Sequence, residues 1–436
     1  MTQPPPPPAA GDGVPRGELG PTAPPEREPV LDVLRGFALL GILLVNIELM
    51  RGPAIYDVLA GRLPPPSEGV DRILQFGVGW LAQGKFISSF AIMFGLGAAI
   101  IAGRTVAAGH QPGSVLARRY GWLLVIGITH MVLLFPGDIL FVYGITGLIL
   151  LAFLRVRQRT AVLWSAALIG LVTVVSVGVT LLGAAFEELA GAAEGDPFAD
   201  AFQGFFADRA EAAVAAHVDG SYLDVIVVNA IEAAIIQLGQ LFVIPWVLGL
   251  FLLGFAVGRT GIIADLAAYR SALRRAALVG LGLGLPLTFA QGAVDPIVLV
   301  GGGTGAQVST GLLALITVGQ LLGAPVLAVG YLAGVALLSL RFGSPRPLAA
   351  VGRMALSAYL AQSLLTLIVF AGFSRYGQLG PSEAMLVVLG VWAVLLLVCP
   401  LWLRWFRFGP VEWLWRTLTY GRGQPFRRGR DVQLDA

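Results

Sequence analysis

The chain has 436 residues, 56% hydrophobic and only 13% charged, about half the roughly 25% charged fraction of a soluble domain. Its mean hydropathy of +0.80 excludes the soluble classes, and its net charge of +3 needs no nucleic-acid partner, because basic loop residues orient membrane helices. The single cysteine, Cys399, excludes an intramolecular disulfide and a multi-cysteine metal site.

Residues 1–29, with a proline run from Pro4 to Pro8, have too little apolar surface to offset chain entropy and are expected to form a disordered cytoplasmic tail. No secretory signal pattern precedes Leu31. Ten apolar segments follow, at 31–50, 84–103, 116–135, 138–155, 161–183, 233–257, 272–290, 309–340, 354–373 and 383–403. Each can cross roughly 30 Å of hydrocarbon, which predicts an all-α polytopic membrane helix bundle spanning 30–420, with about ten transmembrane helices. Segment 309–340 reads either as one long tilted helix or as two short ones broken around Gly323-Ala324-Pro325.

Lys and Arg are retained in the cytoplasm. With ten spans, 22 basic residues fall on one side and five on the other, with Arg35 and Lys85 at or within helices. Both termini are then expected in the cytoplasm, and counting 309–340 as two spans would misplace the arginine-rich tail at 421–436. The connection 184–230 carries nine acids against Arg209 and belongs outside. Its Phe198, Phe202, Phe205 and Phe206 suggest short amphipathic helices on the membrane rim, although a plain solvated connector fits equally. Residues 404–420, where Trp402, Trp405, Trp413, Trp415 and Tyr420 interleave with Arg404, Arg407 and Arg416, read as an interfacial helix. No internal repeat is visible, which weakens a transporter reading.

Polar residues within the spans are few. Asp32 and Arg35 open the first helix; Arg in hydrocarbon costs roughly 2.5–3.5 kcal/mol, so it faces a polar cavity or a partner. Asn46 lies about 20° around the helix from Arg35 and roughly 16 Å along it. His130, the one histidine inside a predicted span, is suited to general-base or nucleophilic chemistry, or else to interhelical hydrogen bonding. Asp138 follows the turn Phe135-Pro136-Gly137 and reads first as an N-cap; it can also orient His130, given a bent helix or a bridging water. Lys85, the only lysine, holds an anionic group, polarises a carbonyl or simply snorkels to the outer interface. Arg118, Arg119 and Arg353, with Asp32 and Arg35, are placed to surround a nucleotide or coenzyme A phosphate. Taken singly, Arg118 and Arg353 read as orientation charge. Tyr359, Gln362, Ser363 and Thr366 share one face of the ninth span, as substrate lining or as interhelical bonding. Gly301 to Gly305 lacks the Lys and the strand of a phosphate loop, and three scattered histidines make no metal site.

Taken in order, Leu31-Asp32-x-x-Arg35-Gly36-Phe37-Ala38, Gly84-Lys85-Phe86, Arg118-Arg119 leading to His130, Gly137-Asp138-Ile139-Leu140-x-x-Tyr143, Gly254-x-x-x-Gly258-Arg259, Gly352-Arg353-Met354 through Ser363, and Gly409-Pro410-x-Glu412-Trp413-x-x-Arg416 resemble the YeiB-type bacterial membrane proteins. That family, a domain of unknown function, is similar to the transmembrane acyltransferase superfamily, whose members acylate envelope glycans. The resemblance implies transfer of an acyl group, acetyl foremost, from cytoplasmic acyl-CoA (acetyl-CoA) to an extracytoplasmic sugar, glycan or lipid-linked acceptor across the bacterial cytoplasmic (inner) membrane. Glycan acyltransferases place a histidine in or after the first helix, whereas this chain has Asn46-Ile47-Glu48 there. Either His130 takes that role or acyl transfer is lost.

On the acyltransferase reading, Arg35 and Arg119 hold the coenzyme phosphates, His130 deprotonates the acceptor or carries the acyl group, and Asp138 orients the imidazole. Asn46 or Lys85 stabilises the oxyanion, while Tyr143, Tyr359, Gln362 and Ser363 line the substrate. No metal is required. The partners expected are membrane lipid and a small-molecule or glycan acceptor, with room for a homo-oligomer. Two other classes fit the composition: a permease for a small polar solute using Asp32, Arg35 and His130 as an ion route, and a non-catalytic membrane scaffold.

Overall fold

The computed structural model describes residues 29–63, 67–190, 197–294 and 309–428. Most of the proline-rich tail, Glu194 and Asp196, the Gly301–Gly305 run and the last residues of the basic tail lie outside them.

Seventeen α-helices account for nearly all of the regular structure among these residues. In chain order they are α1 (Pro29–Met50), α2 (Ala54–Leu59), α3 (Gly69–Leu81), α4 (Lys85–Ala107), α5 (Pro112–Leu133) and α6 (Leu140–Leu150). Then come α7 (Gln158–Ala190), α8 (Pro197–Val218), α9 (Tyr222–Gln240), α10 (Ile244–Gly258), α11 (Arg270–Thr288) and α12 (Thr310–Val318). The last five are α13 (Ala324–Phe342), α14 (Arg346–Arg353), α15 (Ala355–Leu367), α16 (Pro381–Trp405) and α17 (Pro410–Tyr420).

Among the described residues, eight helical stretches are long and apolar enough to cross a membrane, so the chain is a multi-pass membrane protein. They correspond to eight of the ten expected segments. The other two, 116–135 and 138–155, are helical but pair with each other. Helix α5 carries Arg118, Arg119 and His130. The stretch Leu140–Phe153 rises only about 22 Å, short of the hydrocarbon thickness.

Helix boundaries differ from the expected ones where charge interrupted the apolar pattern. A helix absent from the sequence reading, α3, runs through a three-residue turn into α4, making one stretch Gly69–Ala107. Lys85 opens α4 but lies inside this longer stretch, and its side chain is wholly buried; it does not snorkel. The connection 184–230 is largely helical: α7 continues to Ala190, α8 follows, and α9 starts at Tyr222 under a Ser221–Asp224 capping box. Helix α8 packs on α2 through Phe206, stacked on Tyr56. Segment 309–340 is one span, because the five-residue π-turn Gly319–Gly323 absorbs the disruption and places Pro325 at the start of α13, where its missing N–H costs nothing.

Between spans, burial from water gives no drive, so close packing holds the bundle. Helices α1 and α14 cross so tightly that a Cβ at Gly352 would run into the Asp32 carbonyl. This crossing brings Arg353 beside the Asp32–Arg35 turn. Helices α5 and α6 form an antiparallel hairpin, with Phe141 against Gly127, Leu124 against Gly144 and Tyr120 against Gly147.

Candidate functional site

The hairpin loop creates the site. Helix α5 ends at Leu133 and α6 begins only at Leu140, so Asp138 lies in the connection and folds back directly onto α5. Neither a bent helix nor a bridging water is needed. Asp138 Oδ2 accepts the Phe141 N–H at 2.9 Å, and the Gln237 amide donates to the Asp138 carbonyl at 2.9 Å. With its second oxygen the carboxylate meets His130 Nδ1 at 2.8 Å. A carboxylate is an acceptor, so the imidazole proton sits on Nδ1 and Nε2 accepts. The group it accepts from is the Ser363 hydroxyl, at 2.9 Å. Ser363, His130 and Asp138 thus form a hydrogen-bonded line, and none is more than 1% exposed. Gly127 makes room for it: a Cβ there would lie 2.6 Å from the Phe141 nitrogen and 2.9 Å from Asp138 Oδ2.

Two clefts flank this line. The larger has about 960 Å³ of free space counted out to its mouth. Arg35, Arg119, Arg353 and Arg416 all line it, opposed by Glu412. Apolar side chains including Phe90, Met93 and Phe94 line the rest. The arginines are braced. Arg35 pairs with Asp32 at 3.2 Å, and the Arg119 guanidinium lies 3.6 Å over the Trp415 ring, whose indole donates to the Arg119 carbonyl at 2.8 Å. Glu412 accepts from the backbone N–H groups of Leu356 (2.6 Å) and Ser357 (2.9 Å) at the start of α15, supplying from another helix the cap that α15 lacks. Burial nonetheless raises its pKa, outweighing those bonds.

The smaller cleft, about 360 Å³, is lined by His217, Asn229, Glu232 and Tyr376 together with Met50, Phe135 and Thr366. Three helices order the two clefts. Along α1, Arg35 faces the larger cleft and Met50 the smaller; along α5 and its C-cap, Arg119 and Leu134; along α15, Tyr359 and Thr366. On α15, Ser363 is one turn, about 6 Å, beyond Tyr359. The Tyr359 ring stands 5.0 Å from the imidazole, and its hydroxyl is buried beside Asp138. Tyr359 thus lines the arginine cleft and packs against His130.

Of the residues expected to hold a cofactor, the structure brings Arg35, Arg119 and Arg353 into the cleft, with Asp32 bracing Arg35. Arg118 is not among the lining residues. Adjacent positions on a helix point about 100° apart, and Arg118 is directed toward Gly421. Among the expected catalytic groups, His130 and Asp138 meet, while Asn46 and Lys85 do not join them. The Lys85 ammonium donates to the Gly79 carbonyl at 3.0 Å and to Gln291, which bonds Gln320 at 2.6 Å. Tyr143 lines neither cleft; its hydroxyl donates to the Ile87 carbonyl at 3.0 Å and its ring packs on Phe94 and Phe251. Gln362 stitches α15 to α1 through the Leu39 carbonyl at 3.3 Å. Ser363, expected as substrate lining, stands instead in the line with His130.

Sequence reasoning missed Glu412, Trp415 and Arg416 as cleft walls, having read 404–420 as an interfacial helix. It also missed Asn229 and Glu232, because the charge of Glu232 ended the apolar segment at 233. The helical spacing Val225, Val228, Asn229, Glu232 was the available signal.

Fold and site together define a multi-pass helical membrane protein with a buried Ser–His–Asp line between two clefts. The family described as protein of unknown function (DUF418) matches residues 257–422. The chain is 29% identical to the uncharacterized protein YxaH of Bacillus subtilis (strain 168) over 437 residues, covering 95% of this chain and 99% of that protein. It is also 29% identical to the uncharacterized protein YeiB of Escherichia coli (strain K12) over 413 residues, covering 92% and 98% respectively. The resemblance to the YeiB-type membrane proteins therefore extends along nearly the whole chain. No solved structure matches it.

Proposed function

We propose that the protein is a membrane-bound acyltransferase of the bacterial cytoplasmic membrane, with both termini inside. It would take an acyl group, acetyl foremost, from cytoplasmic acyl-CoA and deliver it to an extracytoplasmic hydroxyl or amine. The observation that carries this reading is the Ser363–His130–Asp138 line, one turn of α15 from a cleft of four arginines. Arginine forks suit phosphates, and the apolar wall suits a pantetheine arm and its acyl group.

In this reading Ser363 Oγ attacks the thioester carbonyl carbon while its proton passes to His130 Nε2. Asp138 holds the tautomer and stabilises the imidazolium. The carbon–sulfur bond breaks, and the leaving thiolate takes the proton from His130. In the second half the acceptor gives its proton to His130 and attacks the acyl-serine, and the proton returns to Ser363. The Tyr359 hydroxyl, on a residue that lines the arginine cleft, would donate to the oxyanion.

Membranes carrying the protein, given labelled acetyl-CoA and envelope extract, are expected to transfer label to an envelope product, and membranes with Ser363→Ala or His130→Ala are not. Equal labelling by the parent and both variants overturns the reading. A permease remains the second reading, favoured by the two-cleft arrangement. Gradient-driven solute flux in proteoliposomes that survives Ser363→Ala and consumes no acyl-CoA would establish it instead.

A further inference from the structure

Asp138 lies in the connection between α5 and α6 rather than on a helix, and loops move more than the elements they join. The backbone N–H groups of Leu134 and Phe135 donate to the His130 carbonyl at 2.8 and 3.1 Å, closing the end of α5. Pro136, next in the chain, has no N–H to donate. Beyond it a second helix takes hold. Along α9 the buried residues Val225, Val228, Asn229, Glu232 and Gln237 recur at helical spacing, and Gln237 ends that stripe. Its amide nitrogen donates to the Asp138 carbonyl at 2.9 Å and reaches the Pro136 carbonyl at 3.4 Å.

The other end of the same amide is informative. Gln237 is 6% exposed, and its Oε1 is buried without a hydrogen-bond partner. Turning the amide over would aim that oxygen at two carbonyl oxygens, so the loop dictates the orientation. An unmet buried acceptor is costly, and native proteins keep few of them. The Gln237 side chain thus holds the loop while leaving its own oxygen unmet. What the loop delivers has a narrow tolerance. Asp138 Oδ2 is tied to the Phe141 N–H, and Oδ1 meets His130 Nδ1 at 2.8 Å; a preorganised site tolerates departures of only about 0.5 Å. Fixing the backbone of Asp138 fixes both oxygens.

We propose that Gln237 is a positioning residue: from α9 it sets the backbone of Asp138, and through it the carboxylate that keeps the His130 proton on Nδ1. Its effect on acyl transfer rests on the acyl-transfer reading; its effect on the His130–Asp138 bond does not.

NMR of the full chain in detergent micelles, isotope-labelled at histidine alone, tests this. The chain has three histidines, and the His130 signal is assigned by its absence in His130→Gln. The readout is solvent exchange of the Nδ1 proton. In Gln237→Met, which is similar in size and donates nothing, exchange is expected to quicken about tenfold, the worth of one hydrogen bond. The melting temperature is expected to stay at the parent value, because the substitution removes an unmet acceptor along with the bond. Gln237→Asn, one methylene too short to reach the loop, is expected to quicken exchange as well and serves if the Met variant fails to fold. Tyr222→Phe, which removes the bond from α9 to the Leu133 carbonyl and leaves Asp138 untouched, is expected to exchange like the parent. The proposal is overturned if both Gln237 variants exchange like the parent, or if Tyr222→Phe quickens exchange as much as they do. Where acyl transfer is present, the Gln237 variants are expected to lower kcat about tenfold with the donor KM unchanged. Faster exchange in the Gln237 variants of a protein that transfers no acyl group leaves Gln237 in its role and removes the acyl-transfer reading; full acyl transfer with unaltered exchange does the reverse.

Discussion

The two clefts solve opposite problems. At the arginine end the charged groups already have partners: Arg35 has Asp32, Arg119 has the face of Trp415, and Glu412 caps α15. At the other end the buried Asn229 amide nitrogen has none. Braced charge gives a rigid, long-range attraction for an anion. A buried donor without a partner carries a cost of about 1–3 kcal/mol. The Ser–His–Asp line lies between the two.

The largest expected effect falls on the line itself. His130→Ala is predicted to lower acyl transfer by about 10²–10⁴-fold, the usual worth of a general base, measured as initial rate against labelled acetyl-CoA. Asp138→Asn is predicted to approach about 10⁴-fold through the wrong tautomer, with the fold checked by thermal melting. Next comes the arginine cleft. Loss of one charge-assisted contact, about 1.5–3 kcal/mol, predicts that Arg119→Ala raises the donor KM by roughly 10–100-fold with kcat little changed. Arg118→Ala, one position away and outside the cleft, is predicted to leave KM within about twofold, so the pair of titrations checks which arginine faces the donor.

Smaller effects sharpen the contrast in stability. Glu412→Ala leaves the α15 donors unmet and is predicted to destabilise by about 1–3 kcal/mol, read by chemical denaturation in detergent. The His217 pKa is lowered in the fold, so the unfolded chain binds the extra proton first. The stability contributed by the neutral imidazole is present above the unfolded pKa of about 6.5 and is lost as pH falls through the lowered folded value. His217→Gln is predicted to flatten the decline in melting temperature below that pH relative to the parent.

How legible these features were in the sequence depends on chain separation. The ten helical segments followed from hydropathy, and only the short α6 and the arginine-bearing α5 fall outside the helices long and apolar enough to span. The His130–Asp138 pairing was visible because one turn separates its members. Ser363 could be placed on a polar face of its helix but not against His130, since 233 positions separate them and no local periodicity encodes a contact between distant helices. Lys85 was misjudged for the same reason: its partner Gln291 is 206 positions away, and the helix preceding it, with Asp71, Arg72 and Gln75, broke the apolar pattern that marks a span. Glu232 ended a segment on hydropathy although it is buried inside a longer helix.

The most direct test of the account is intact-protein and peptide mass spectrometry of the purified protein after exposure to acetyl-CoA without acceptor. An acetyl group on the peptide containing Ser363, absent in Ser363→Ala and in His130→Ala, is the predicted result. Acetyl transfer to acceptor that proceeds undiminished in Ser363→Ala, with no acylated Ser363 peptide in the parent, would contradict it.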